Sequence, residues 1–442
     1  MSVLPKEINY KSAISLPEGT QSNSIVASPI NGQTFGPSSI VQFDLVQRGY
    51  LVPETMYIRY KLTTVVPTGA TAGTALKATP VYTMFARLET IVGSQVVESI
   101  QNYNQLCNML VNCKMNYAQK VGLANSFGYS AAAGATSYGF DFSTNSPNGL
   151  SFAASTTANG QGANIFLAAP LGCILSNADH LVPLKFMPSC RIQLTTETLA
   201  NAYNGSGTTV ASQITGYTIS NFELCYDIIE FSPMVDQAIS SMGGGQITIR
   251  SQSYLSSGVT LPAASNGSLE FLFNQRLASI KSLFTHLSGT TSVNGFFDSL
   301  DCTGVAPSGG DYQWFVSGLP YPPRPLSTIL NKGCISMELS AAFGPAHDLL
   351  TSNFSINPTE FNASNNVATT VQQMGKFYLG TNVEKLSTNG ALLTGISSQG
   401  SPISFRVSIG TATTNAQVVQ LICLYDALLQ IDIPSRTLVV MQ

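Results

Sequence analysis

In the stretch MYIRYKL, Met56, Ile58, Tyr60 and Leu62 alternate with Tyr57, Arg59 and Lys61. Successive side chains of a strand point to opposite faces, so this segment predicts a strand with one buried face and one polar or contact face. The same texture recurs along the chain. Runs rich in Val, Ile, Tyr, Phe and Thr include SIVQFDLV, SCRIQLTTETL, QITIRSQSYL, SLEFLFNQ, GKFYLGTNV and SPISFRVSIG. Clusters of Gly, Pro, Ser and Asn separate them, which is the signature of strands joined by turns. The chain reads as all-β.

Two local elements stand out. RLETIVGSQVVESI predicts a hairpin, with Gly93 at the first central position of a type II′ turn. Directly after it, Tyr103, Leu106, Cys107, Leu110 and Val111 fall on one helical stripe. Asn102 is the expected cap, with Gln105 three residues on as in a capping box. This helix is expected to close one end of a barrel-like pair of sheets. Residues 118–165 are small, polar and nearly uncharged, and predict an elaborated surface loop. Residues 288–325, with VSGLPYPPRPL, predict a second, and residues 66–79 a shorter one. The run SSMGGGQ, Ser240 to Gln246, predicts a flexible joint just past mid-chain.

The chain closes a segment twice in nearly the same way. NFELCYDIIEFSP and VQLICLYDALLQIDIP each carry a cysteine, Tyr-Asp, an apolar stretch and a proline, with Tyr226 and Tyr425 199 residues apart. The openings match as well. Phe43 and Gln47-Arg48 in VQFDLVQRGYLVPETMYIRYKL correspond to Phe271 and Gln275-Arg276 in LEFLFNQRLASIKSLFTHL. Many short strands, long excursions and a repeated order predict two tandem eight-stranded jelly rolls, a double jelly roll, with short helices and long surface loops. The expected division is an N-terminal arm at 1–36, a first roll at 37–235, a Gly-rich linker at 236–246, a second roll at 247–435 and a tail at 436–442. The Tyr-Asp pairs read as structural. Tyr packs its ring and reaches a backbone partner with its hydroxyl, and Asp satisfies turn amides.

Composition narrows the function. Of 442 residues, 10% are charged and 44% hydrophobic, against a typical charged share of about 25%. Such a surface is solvated by uncharged polar residues or covered by partners. The net charge of −3 and the absence of clustered cations exclude a nucleic-acid footprint. No apolar core of signal-peptide length opens the chain, and no apolar run reaches a membrane span. Cys107, Cys113, Cys173, Cys190, Cys225, Cys302, Cys334 and Cys423 are scattered, never form CxxC, and read as reduced thiols. Asn204, Asn266, Asn353 and Asn362 match the N-x-S/T pattern by chance on this reading.

Catalytic chemistry finds no support. His180, His286 and His347 have no partners at metal-ligand spacing. GISSQGS around Ser397 lacks the spacing of a nucleophile elbow. NGQGAN and MGGGQ lack the lysine of a phosphate loop and the context of a dinucleotide fingerprint. No catalytic, cofactor-binding or metal residue is assigned, and no cofactor is expected.

The chain resembles the double jelly-roll major capsid proteins of double-stranded DNA viruses, nearest to the polinton-like virus and virophage group, in the wider lineage of adenovirus hexon. FDLVQRGYLVPETMYIRYKL, ARLETIVGSQVVESIQNYNQL and FELCYDIIEF carry the resemblance, which spans about residues 36–435. It implies a non-enzymatic shell protein located in the virion. It further implies homotrimers that mimic hexagons and tile an icosahedral capsid. Its partners would be neighbouring capsomers and minor capsid and penton proteins, with membrane or genome beneath the inner face and no sequence-specific nucleic-acid binding. The competing class is a secreted tandem jelly-roll protein that binds or cleaves glycans, for which Trp314, the only tryptophan, would be the stacking platform. The arm carries apolar anchors at Val3-Leu4, Ile8, Tyr10, Ile14 and Leu16, and is expected to run along the capsomer base or face the virion interior.

Overall fold

A computed structural model describes residues 19–66, 74–76, 80–115, 119, 122–128, 151–152, 160–204, 216–289, 310–328, 330–344, 356, 377–384, 393–409 and 416–442. Eight strands of five or more residues build the first half. They are β1 (Gln21–Ala27), β2 (Ile40–Asp44), β3 (Tyr57–Val66), β4 (Phe85–Val92), β5 (Gln95–Gln101), β6 (Gly160–Pro170), β7 (Cys190–Thr196) and β8 (Gly216–Glu230). Eight more, followed by a short strand at Thr437–Met441, build the second. They are β9 (Gln246–Leu261), β10 (Gly267–Phe273), β11 (Ile280–Gly289), β12 (Asp311–Val316), β13 (Leu319–Ser327), β14 (Tyr378–Asn382), β15 (Ile403–Ile409) and β16 (Gln417–Asp432).

The first half pairs in the orders β1-β8-β3-β6 and β2-β7-β4-β5. The second pairs as β9-β16-β11-β14 and β10-β15-β12-β13. Adding eight to each strand of the first half gives the second, and every pairing is antiparallel. Each half is therefore a jelly roll, and the chain is a double jelly roll.

The alternation in MYIRYKL does what it predicts. Met56, Ile58, Tyr60 and Leu62 are buried, while Tyr57 and Arg59 face out. In the first roll, Phe222 of β8 joins the two sheets. Its ring lies 5.1 Å from Phe43 of β2, 5.3 Å from Tyr60 of β3 and 5.5 Å from Phe85 of β4. In the second roll Trp314 of β12 packs 5.3 Å from Phe405, and its Nε1–H donates to Thr285 Oγ1 on the opposite sheet at 3.1 Å.

The matched landmarks occupy matched places. Tyr226 pairs with Ile25 of β1, and Tyr425 with Ser253 of β9. The Tyr226 hydroxyl accepts the Val46 N–H at 3.0 Å, and Asp227 accepts from Ser24 Oγ at 2.6 Å. Asp426 accepts from Ser279 Oγ at 2.9 Å and the Thr394 N–H at 3.1 Å. Arg48 and Arg276 both follow the second strand of their roll, but Arg48 pairs with Glu230 and Arg276 donates to the Gln399 carbonyl. An isolated bridge ties Leu51 to Val182 in one half, and another ties Ile280 to Ile396 in the other.

Several expectations need correction. Residues 21–27 are not part of an arm. They form β1, which pairs along β8 from Gln21↔Glu230 to Ala27↔Leu224. The expected linker takes in most of helix α2 (Pro233–Ser241) and a 3-10 turn at Met242–Gly245. The expected tail is a strand, Thr437–Met441, paired with β16. The expected loop at 288–325 contains β12 and most of β13, and β6 begins at Gly160, inside the other long loop. The 66–79 loop holds a short strand, Thr74–Leu76, paired with Tyr203–Asn204 and Ser151–Phe152. Gly93 has φ 63° and alone of the turn pair is positive, as a type II′ turn requires. Asn102 does not cap its helix through its side chain. It adopts φ 51°, left-handed, because the chain must turn sharply out of β5. The apolar anchors at residues 3–16 lie outside the described residues.

Removing residues 1–27 deletes β1, whereas removing 1–18 keeps it. The longer truncation is expected to lower the melting temperature by more than about 5 °C, because 1 kcal/mol corresponds to about 2–4 °C in a domain of this size. Circular dichroism melting of both truncations checks this, and an unchanged transition in the longer one contradicts the role of β1.

Candidate functional site at the joint between the rolls

The two rolls meet along edge strands. β5 is the edge of one sheet of the first roll, and β9 is the edge of one sheet of the second. An unpaired edge leaves a row of N–H and C=O groups to be satisfied. Here the first roll supplies partners from the segment that follows β6. The Asp179 N–H donates to the Arg250 carbonyl at 3.0 Å, and Asn177 Nδ2 donates to the Gln252 carbonyl at 3.1 Å. Ser251 Oγ in turn donates to the Ile174 carbonyl.

At the centre lies Glu98 of β5, which is buried. One carboxylate oxygen accepts from Thr90 Oγ1 at 2.7 Å and from the Ile174 N–H at 3.0 Å, and the other from Ser253 Oγ of the second roll. Burial drives its pKa above the usual glutamate range, and the hydrogen bonds only partly offset this. One side chain thus ties β4, the post-β6 segment and β9 together.

A helix seals the joint. Ten of the twelve residues of α1 (Tyr103–Lys114) are buried. Its Asn104 donates to Glu197 Oε2 of its own roll at 2.8 Å. Toward the second roll, Asn112 Nδ2 reaches the Tyr378 hydroxyl at 3.4 Å. The Lys114 ammonium sits 5.5 Å from the centre of the Phe343 ring, and its burial lowers its pKa. At the end of the chain, Gln442 accepts the Ala278 N–H at 2.9 Å and donates to the Val97 carbonyl of β5 at 2.5 Å.

The residues weighed for chemistry are dispersed. His180 is exposed and bonded to Asp179 at 2.7 Å, and His286 is buried beside Tyr378. His347 lies outside the described residues. Ser397 Oγ donates to the Leu277 carbonyl. No group of metal-ligating side chains occurs among the described residues, and no helix among them is long and apolar enough to cross a membrane. Trp314 is wholly buried and offers no stacking face to a sugar. The seven described cysteines are free thiols, all buried except Cys334, and burial pushes Cys107, Cys173 and Cys190 up to about 12. Cys302 lies outside the described residues.

A groove of about 410 Å³ opens on the outer face of the first roll, lined among others by Ser24, Val26, Tyr57, Pro170 and Cys225.

Known structures share the whole double-roll arrangement. The chain superimposes on the PBCV-1 virus capsid structure with a TM-score of 0.58, at 10% identity, over 95% of this chain and 97% of that one. For the Faustovirus major capsid protein the values are 0.57, 11%, 94% and 91%. For the mavirus major capsid protein they are 0.54, 10%, 100% and 95%. No protein-family profile matches the chain, and no curated protein matches it in sequence.

Replacing Glu98 with Ala leaves three donors unpaired, which costs about 1–3 kcal/mol for each one that water cannot reach. Glu98→Gln separates charge from connectivity. A carboxyl whose folded pKa is raised makes the folded state bind more protons than the unfolded one, so stability falls as pH rises from 4.5 through the raised value. Urea unfolding between pH 4 and pH 8 should show a falling slope in the native protein that is absent in Glu98→Gln. Identical slopes would show that Glu98 carries no such cost.

Proposed function

We propose that this chain is a major capsid protein, whose trimers mimic hexagons and tile an icosahedral virion shell. The observation that carries the reading is the match of both rolls, in one superposition, to capsid structures over more than nine-tenths of each chain. The physical organisation agrees with it. Two like rolls held side by side give each chain two similar blocks, so three chains present six. The joint between them is built from hydrogen bonds and side-chain packing.

The charge economy supports the same reading. With 10% charged residues, the outer faces can be covered by neighbouring capsomers without stripping water from many unpaired ions. Further partners on this reading are minor capsid and penton proteins, with genome or membrane beneath the inner face, and its location is the virion.

Sedimentation and negative-stain microscopy of the purified protein test the proposal. Three-chain particles with a hexagonal outline are expected. A stable single chain at all concentrations, or one that binds or cleaves glycans, would overturn it.

A further inference from the structure

We propose that the second roll carries a covalent cross-link site, where the side chains of Lys281 and Asp426 condense to an isopeptide bond and Glu384 carries the protons. The bond joins β11 to β16 inside the roll. It concerns the single chain and is independent of how chains assemble.

The site begins with a bulge. Ile280 of β11 stands opposite Tyr425 and Ser282 opposite Leu424, so Lys281 is an extra residue in the ladder. Bulges re-aim side chains and recur beside reaction centres. The Lys281 side chain is 15% exposed, and its Nζ lies 3.1 Å from Glu384 Oε1 and 3.9 Å from Asp426 Oδ1. Asp426 is wholly buried, and the Glu384 side chain is 13% exposed. An amine, a carboxyl it can acylate on and a second carboxylate able to move protons thus share one nearly dry site. The backbone holds them there. The Val383 N–H donates to the Lys281 carbonyl at 2.8 Å, which sets Glu384 beside the lysine. Gly395 passes so close to Ile280 that a Cβ would sit 2.2 Å from the Ile280 carbonyl oxygen, and this approach brings the Thr394 N–H onto Asp426. The like position in the first roll, Asp227, is half-buried and accepts a hydroxyl of β1 instead, so the fold itself does not demand a dry carboxylate here.

The two oxygens of Asp426 have different surroundings. Oδ2 accepts from Ser279 Oγ at 2.9 Å and from the Thr394 N–H at 3.1 Å, with Thr394 Oγ1 3.2 Å away. Fixed donors of this kind stabilise the negative charge that develops on an oxygen during acyl transfer. Oδ1 lies on the side of Lys281, with Arg250 Nη2 at 3.4 Å, and is the leaving oxygen. Glu384 takes a proton from the Lys281 ammonium and passes it to Oδ1, which makes Asp426 a neutral acid. The freed electron pair on Nζ attacks Asp426 Cγ, and the charge moves to Oδ2. Glu384 takes a second proton from Nζ and delivers it to Oδ1. The Cγ–Oδ1 bond breaks, the charge on Oδ2 returns to the carbonyl, and Oδ1 departs as water. Glu384 ends as it began, and an ammonium and a carboxylate have become an amide. Fixed neighbours react as if at very high concentration. Two opposite charges held out of water repay their desolvation only in part, and the condensation removes both.

Peptide mapping of the full chain tests this. The folded protein is incubated at neutral pH, denatured and digested with trypsin. The bond after Lys281 is expected to resist cleavage, because an acylated lysine is no longer a cation. The peptide carrying Lys281 is expected to travel with the peptide carrying Asp426, and the joined pair to be lighter than the two together by one water. Separate peptides of unaltered mass, the result that a network of ion pairs alone would give, overturn the proposal. Lys281→Arg keeps the cation and is expected to yield the Asp426 peptide unjoined. Glu384→Gln keeps the size of the side chain and removes the proton carrier, so its peptides are expected to stay separate. A joined pair in Glu384→Gln overturns the role given to Glu384. Should either variant fail to fold, the map of the native protein decides whether the bond forms.

Discussion

The open edge of β9 is the constraint on which the arrangement of the two rolls depends. A sheet edge exposes carbonyls and amides that invite any passing strand. The protein answers this not by closing the sheet but by laying the first roll along it. Asp179 and Asn177 satisfy the carbonyls at 250 and 252, and Glu98 gathers donors from three separated stretches of chain. The carboxylate has no cation among these partners. It relies on hydroxyls and one amide, which orient tightly but compensate burial only partly. Such a group tolerates no slippage, because every displaced donor is left dry. The joint therefore sets the relative position of the rolls more sharply than apolar packing alone would.

The second roll is shaped by being covered. β16 is buried over almost its whole length, on both faces, in the run VQLICLYDALLQI. β8, its counterpart, keeps several half-exposed positions and one fully exposed residue. The difference follows from what lies outside each sheet. β16 has Thr437–Met441 and β9 beside it, and α1 and α3 (Lys332–Phe343) pack against β14 and β11 of the same sheet. The outer face of the first roll has open space at Tyr57 and Val26. The two like folds differ in burial according to which one has a neighbour within the chain.

Much of this was legible in the sequence, and what was not had physical reasons. The strand MYIRYKL announced itself because one of its faces is core and the other is not. The Tyr-Asp pairs were legible because each sits at the same register on the last strand of its roll. β1 was missed because QSNSIVA is an edge strand with polar residues at four of its seven positions, so no apolar alternation marks it. β13, LPYPPRPLS, was read as a loop on the strength of its prolines. It is an edge strand, where a missing N–H costs no ladder bond. α3, KGCISMELSAAF, is apolar on more than its core face, so no stripe separates inside from outside. Glu98 could not be found at all, since Ser253 is 155 positions away and nothing local distinguishes this glutamate from others.

These misses share a cause. Sequence patterns report the contrast between a buried and a wet face, and they fail where an element meets a third environment. β1, α3 and the groove beside Tyr57 belong to that class: partly apolar, partly polar, and neither core nor ordinary surface. In a chain with so few charges, surfaces of this kind are inexpensive to desolvate and can be covered by another protein face.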